Sequence, residues 1–255
     1  MSATPIMETR DLTVKFGGHF AVFSVSLQVE PFSVKSIIGP NGAGKTTLFN
    51  LISGQLKPTG GRVFFKGSDI TELGPAQRTM LGIGRSFQLT NIFPRLTVLE
   101  NVRLALQSRA RTGLVFWRDY RSYPELEDKA YDLLKQVLMH ERWSDEASTL
   151  THGEQRKLEI AILLALEPEV LLLDEPTAGM SIEEVPAILE IIQEIKAARN
   201  RTILLVEHKF DMIMTLSDRI AVLKAGGLIY DDVPEAIAEN EEVQRAYLGG
   251  GVRHD

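Results

Sequence analysis
The chain has 255 residues, 44% of them apolar and 24% charged, which suits a soluble globular protein with a sizeable core in one domain or two lobes. Its net charge is −6, from 28 basic and 34 acidic residues, so no global basic field favours nucleic acid. The absence of cysteine excludes disulfides and thiolate metal sites, the opening Met-Ser-Ala-Thr-Pro lacks a signal-peptide pattern, and the longest apolar runs, such as residues 160–166, are too short to cross a bilayer. A cytoplasmic protein is expected, with any membrane role exerted through partner subunits.

In the opening third, residues 7–16, 21–29, 33–38 and 61–65 read as short strands separated by turns. Phe16, which ends the first run before Gly17-Gly18, is either a core aromatic or a face on which adenine could stack. The third run enters Gly39-Pro40-Asn41-Gly42-Ala43-Gly44-Lys45-Thr46-Thr47, which fits G-x-x-x-x-G-K-[ST]. Glycines let backbone N–H groups encircle a phosphate, Lys45 reaches the β- and γ-phosphates, and the Thr46 hydroxyl suits Mg²⁺. A helix follows, with Leu48, Leu51 and Ile52 on one face and Gly54 at its C-terminal end. Its N-terminus directs partial positive charge at the bound anion.

Gln88 follows Arg85-Ser86-Phe87. It is either a solvated surface amide or a group touching both Mg²⁺ and an attacking water. From about residue 93 to 150, strand-like runs give way to charged helical patterns. Thr97 and Glu100 fit a capping box, and residues 125–139 an amphipathic helix. Residues 109–123 mix Arg with aromatics and read as a surface excursion, a solvated loop or a docking segment. Thr151 and Glu154 of Leu150-Thr151-His152-Gly153-Glu154-Gln155 form a second capping box, and Leu158, Ala161, Ile162, Ala165 and Leu166 form one apolar stripe ended by Glu167-Pro168. This is either a well-capped structural helix or a second anion site, made of a helix N-terminus, the Thr151 hydroxyl and the Gly153 N–H.

The β/α alternation then resumes, with strands at 170–174, 202–207 and 220–224. Strands separated by helices imply a largely parallel sheet, so the fold expected is an α/β lobe interrupted by a mostly helical insert. Residues 170–174 form a continuous apolar run ending in Asp174-Glu175-Pro176, which places two carboxylates at the carboxyl edge of a buried sheet. Asp174 would help hold Mg²⁺, and Glu175 would orient or deprotonate an attacking water. His208, just past the next strand, is either an exposed or capping histidine or a donor to the γ-phosphate that orients the nearby carboxylate.

These motifs, in this order, resemble the ATP-binding subunit of an ABC transporter along essentially the whole chain. Gly39 to Thr47 matches Walker A, Leu171 to Glu175 Walker B, Gln88 the Q-loop, Leu150 to Gln155 the signature position and His208 the switch histidine. The resemblance implies a P-loop NTPase fold with an N-terminal antiparallel β subdomain, divided as 1–92, 93–150 (helical signature subdomain) and 151–255. It implies ATP and Mg²⁺ as ligands, and a head-to-tail dimer in which Thr151 and Gly153 act on the nucleotide held by a second ATPase subunit, a copy or a paralogue. Residues 82–88, Asn91-Ile92-Phe93-Pro94, Glu175-Pro176-Thr177-Ala178-Gly179-Met180, Val206-Glu207-His208 and Ala246-Tyr247-Leu248-Gly249 resemble the ATPases of branched-chain amino-acid uptake, whose relatives import urea, amides or aromatic acids. That group implies two membrane permeases, a periplasmic solute-binding protein and a location on the cytoplasmic face of the inner membrane.

Three departures stand out. Thr151-His152-Gly153-Glu154 replaces the usual Ser-Gly-Gly-Gln, and Glu154 is expected to turn back and cap its helix. Ser181 stands where the family often has Asp. Pro31-Phe32-Ser33 lacks the usual glycine, so a type I turn is expected there. The competing readings are an ABC ATPase driving lipid or lipopolysaccharide export, a soluble ABC protein of translation or DNA repair, and a small-molecule kinase, which would lack the signature and His208 regions.

Overall fold
The computed structural model describes residues 4–86, 92–109 and 124–247. Two sheets organise the chain. The first is antiparallel, ordered β2-β1-β4-β5, from β1 (Met7–Phe16), β2 (His19–Val29), β4 (Gly60–Phe65) and β5 (Ser68–Asp69). Buried and exposed positions mix along β1 and β2, as on a sheet with one covered face. The second sheet is ordered β10-β9-β3-β8-β7-β6, from β3 (Val34–Ile38), β6 (Ile83–Arg85), β7 (Val170–Asp174), β8 (Thr202–Val206), β9 (Arg219–Lys224) and β10 (Gly227–Asp232). All pairings are parallel except β9 with β10. Every residue of β3, β7 and β8 is buried; β7 and β8 are accordingly near-continuously apolar, while in β3 the buried Lys35 and Ser36 are paired with Asp231 and Ser217.

The helices are α1 (Lys45–Ile52), α2 (Pro75–Leu81), α3 (Val98–Arg109), α4 (Pro124–Gln136), α5 (His152–Ala165), α6 (Val185–Ala197), α7 (Phe210–Leu216), α8 (Pro234–Glu239) and α9 (Glu241–Tyr247). The described part of residues 93–150 is α3, α4 and two 3-10 turns, with one isolated bridge between Thr97 and Glu146. Both capping boxes form. The Thr97 and Thr151 hydroxyls accept from the N–H of Glu100 and Glu154, whose carboxylates reach back to the Thr97 and Thr151 N–H.

The α5 stripe is wider than its spacing predicts. Leu158, Ala161 and Ala165 are fully buried, but so are Ile160, Leu163 and Leu164, while Ile162 and Leu166 are half-buried. The helix lies between the α3–α4 pair and β7, so its core joins Val98, Val102 and Leu134 to Leu171 and Leu173.

Arg78 of α2 holds the far end of α1. Its guanidinium is 1% exposed and donates to the carbonyls of Leu51 and Ile52, both at 2.7 Å, and of Leu73 and Thr71, both at 2.9 Å. It satisfies the last carbonyls of the helix and complements its dipole. Burial pushes its pKa down to about 10. Gly54 has φ +78° just beyond the helix, and a Cβ there would lie 2.8 Å from Arg78 Nε.

The turn at residues 30–33 corrects an expectation. Phe32 has φ +58°, the sign that a type II turn requires at its third position and type I does not. A long-range contact holds it: the Phe32 N–H donates to Thr202 Oγ1 at 2.8 Å, while within the turn Ser33 Oγ donates to the Glu30 carbonyl at 2.7 Å.

Candidate nucleotide site
The strand order brings the motifs together. β8 lies between β3 and β7, and all three run parallel, so Ile38, Asp174 and Val206 end at one edge. The loop 39–44 turns from that edge into α1. Gly39 and Gly44 have φ +155° and +100°, and a Cβ on either would collide with a carbonyl, that of Leu223 at 2.2 Å or of Ala21 at 2.4 Å. Only glycine lets the loop pass so close to its neighbours. Gly44 is the N-cap of α1 and offers no side-chain cap, and no acidic residue follows in the first turn. The N–H groups there are left for an anion.

The result is a cleft of about 300 Å³ lined by Asn41, Gly42, Ala43, Gly44, Lys45, Thr46 and Thr47 on one side, and by Glu175, His208, His19 and Ala21 around it. Lys45 Nζ donates to the Gly39 carbonyl at 2.7 Å and to that of Pro40 at 3.1 Å. Burial lowers its pKa, and the charges of Glu175 and Asp174 oppose that shift.

Asp174 is fully buried at the end of β7, and burial raises its pKa against the pull of Arg85. One carboxylate oxygen is bonded to Arg85 Nη2 at 3.0 Å, while Oδ1 has no hydrogen-bond partner among the described residues. Glu175 has φ +50°, a strained value for a residue with a side chain and of the kind that clusters at functional sites. Its Oε1 lies 2.9 Å from His208 Nε2.

A residue the motif reading passed over fixes this pair. Glu207 is 3% exposed, and one of its oxygens accepts from the Thr177 N–H and, in a short bond, from the Thr177 hydroxyl. The other accepts from the N–H groups of His208 at 2.6 Å and Lys209 at 3.2 Å. It clamps the turn after Glu175 to the backbone of His208.

Phe16 is 53% exposed, not a core aromatic, and is absent from the cleft lining. Its ladder partner His19 lies there instead. Gln88 lies outside the described residues, as do residues 110–123.

The start of α5 is a separate place, since neither Thr151 nor Gly153 lines the cleft of its own chain. Glu154 turns back as expected. One oxygen takes the Thr151 N–H at 2.9 Å and the other takes Arg142 Nη1 at 2.8 Å. A different carboxylate holds the helix end. Glu184 accepts from the Ser181 N–H and hydroxyl, both at 3.1 Å, and from the Thr151 hydroxyl at 3.4 Å. Together with the Gly153 N–H, these bonds lower its pKa, the Ser181 N–H most of all. A Cβ on Gly153 would lie 2.4 Å from Glu184 Oε1. Thr151, Gly153 and Ser181 thus converge on one anionic group; Ser181 and Glu184 have capping-box spacing, but nothing local announces that the carboxylate also reaches Thr151 and Gly153.

A phosphate loop, a strand-end acidic pair and a strand-end histidine on one sheet edge, with a capped helix beyond a helical insert, define an ATP-binding cassette. The chain belongs to the ABC transporter family, whose model matches residues 22–178. It is 39% identical over 250 residues to the high-affinity branched-chain amino acid transport ATP-binding protein LivG of Escherichia coli (strain K12), covering 96% of this chain and 98% of that one. It is equally 39% identical to BraF of Pseudomonas aeruginosa, which carries the same description, with the same coverage. Among solved structures, it is similar to the ADP conformation of an ATP-binding cassette of an ABC transporter, with a TM-score of 0.83, 30% identity, and 96% and 99% of the two chains covered. It is also similar to a dimeric cassette in a post-hydrolysis state bound to ADP and Pi, with a TM-score of 0.75 and 28% identity over 89% of this chain and 98% of that one.

Proposed function
We propose that the chain is the ATP-hydrolysing subunit of an importer for branched-chain amino acids or related small polar solutes. The observation that carries the hydrolytic reading is the Glu175–His208 pair at the mouth of the phosphate loop. In the reaction, a water oxygen bonds to the γ-phosphorus, the bridging oxygen leaves with ADP, and Glu175 takes the proton of the water. His208 orients Glu175 and is positioned to donate to the γ-phosphate, while Lys45 balances charge on the β- and γ-phosphates.

The donor set suits Mg²⁺. Asp174 keeps one buried oxygen bare, and Thr46 offers a hydroxyl at the cleft. Thr46, Asp174 and, by sequence position, Gln88 would hold the ion, and it would supply positive charge against the negative charge of the phosphates.

The similarity to LivG and BraF supports import rather than lipid export. On that reading two cassettes pair head to tail, Thr151 and Gly153 face the partner's nucleotide, and the helical subdomain docks on the permeases. Among the described residues no helix is long and apolar enough to cross a membrane, so attachment to the cytoplasmic face runs through those permeases, and a periplasmic binding protein delivers the solute. Glu175→Gln tests the central claim: nucleotide binding stays while turnover is lost, and near-normal hydrolysis would overturn the assignment.

A further inference from the structure
We propose that Arg85 is a positioning residue for Mg²⁺ binding: it ties one oxygen of Asp174 to the phosphate-loop helix, so that the other is presented to the ion. The inference rests on the reading of Asp174 as a Mg²⁺ ligand, and it assigns a role that the family motifs leave blank.

Arg85 ends β6, and its side chain is 8% exposed. Nη2 donates to Asp174 Oδ2 at 3.0 Å. Nη1 faces three neutral oxygens at the C-terminal end of α1: Asn50 Oδ1 at 2.6 Å, Ser53 Oγ at 2.9 Å and Gln55 Oε1 at 3.0 Å. The guanidinium also lies 5.9 Å from the ring centroid of the fully buried Phe49.

This geometry does more than neutralise a buried charge. The two oxygens of a carboxylate are chemically equivalent until a neighbour distinguishes them. Arg85 distinguishes them, because Oδ2 is occupied and Oδ1 is buried and bare. The anchor is α1 itself, whose other end carries Lys45 and Thr46. The phosphate ligands and the carboxylate ligand are therefore referred to one rigid element rather than to two separately moving ones. A planar fork is needed to span Asp174 and the oxygens of Asn50, Ser53 and Gln55 at and just beyond the end of α1, which a lysine ammonium cannot do. Groups that hold a metal ligand in this way affect metal affinity directly.

The test is fluorescence of mant-ATP bound to the full chain, measured in EDTA and then titrated with MgCl₂. Arg85→Met is expected to raise the half-saturating Mg²⁺ concentration about ten-fold or more, while affinity in EDTA changes by less than about two-fold. Arg85→Lys keeps the ion pair but loses the fork, and recovers part of that shift. An equal loss of affinity with and without Mg²⁺ would mean that Arg85 only maintains the fold, and an unchanged Mg²⁺ titration would equally overturn the proposal. Should Arg85→Met not fold, Asn50→Ala, which removes one anchor, must shift the titration in the same direction by about two- to three-fold. No shift there sinks the idea. Asp174→Asn separates the two claims. If it leaves the Mg²⁺ titration untouched, the reading of Asp174 itself fails. If it abolishes the Mg²⁺ response while Arg85→Met behaves as wild type, only the role of Arg85 fails.

Discussion

Two helix N-termini in this chain are furnished differently. At α1, glycine replaces any capping side chain, Lys45 stands at the head of the helix, and Glu175 and His208 come from one edge of one sheet. At α5 the N-cap is Thr151, the box is closed by Glu154, and the Glu184 carboxylate already sits on the Thr151 hydroxyl and Gly153 N–H. The first end is open and furnished with reacting groups. The second is exposed and filled by an internal acid. A helix end alone therefore does not define a catalytic site. The difference lies in what the sheet delivers to it, and on the proposed function it separates the end that does chemistry from the end that faces a partner.

The comparison can be broken most directly at the open end. Glu175→Gln should lower hydrolysis by about 10²-fold or more, the scale of a lost general base, with mant-ATP affinity close to wild type. Retained turnover would remove the chemical asymmetry between the two ends. At the filled end, Thr151→Val should leave nucleotide affinity of the isolated chain unchanged but reduce steady-state hydrolysis about ten-fold, since a hydrogen bond to a charged group is worth roughly 1.5–3 kcal/mol. It should also cost about 1 kcal/mol of stability through the lost cap, read in urea unfolding. Weaker mant-ATP binding by the isolated chain would show that α5 serves its own cleft.

Glu154→Gln sharpens the same contrast. Its carboxylate is bonded to Arg142 and the Thr151 N–H, so it is not aimed at a phosphate. Hydrolysis should change by less than about two-fold, with a stability loss of up to about 1 kcal/mol from the weakened box and ion pair. A large gain in hydrolysis would mean the charge had been repelling substrate. Remote from both ends, Phe32→Gly relieves a positive φ at an exposed site and should stabilise by about 0.5 kcal/mol, leaving hydrolysis unchanged. Destabilisation would show that the ring packs usefully.

Much of the frame was legible because burial imposes a pattern on short segments. Strands β1, β3, β4, β7, β8 and β9 stand within a residue of their expected limits, and both capping boxes close through the named side chains. Strands β6 and β10 were not legible. β6 has three residues, and its Gly84 is set so close to Leu163 and Pro168 that a Cβ would fall 2.7 Å from Leu163 Cδ1. β10 is only half-buried and shows neither alternation nor a continuous apolar run. The turn at Phe32 was misjudged because its conformation is held by Thr202, 170 residues away.

The site divides along the same line. Gly39 to Thr47, Asp174-Glu175 and His208 were visible because anion binding and strand-end carboxylates leave marks within a few adjacent residues. Arg85, Glu207, His19 and the reach of Glu184 to Thr151 and Gly153 were not, because each depends on a partner brought by sheet order or by a turn, and a single charged or polar residue carries no local mark of that partner. The sequence by itself determined which segments could hold phosphate, end in carboxylates or start a capped helix, since those depend on spacing and on backbone groups nearby. Only the tertiary structure decided which of them meet. Placing β8 between β3 and β7 in a parallel sheet puts residues 45, 175 and 208 around one cleft, and hydrogen-bond pairing between strands far apart in the chain is a property of the packed sheet, not of any window of residues.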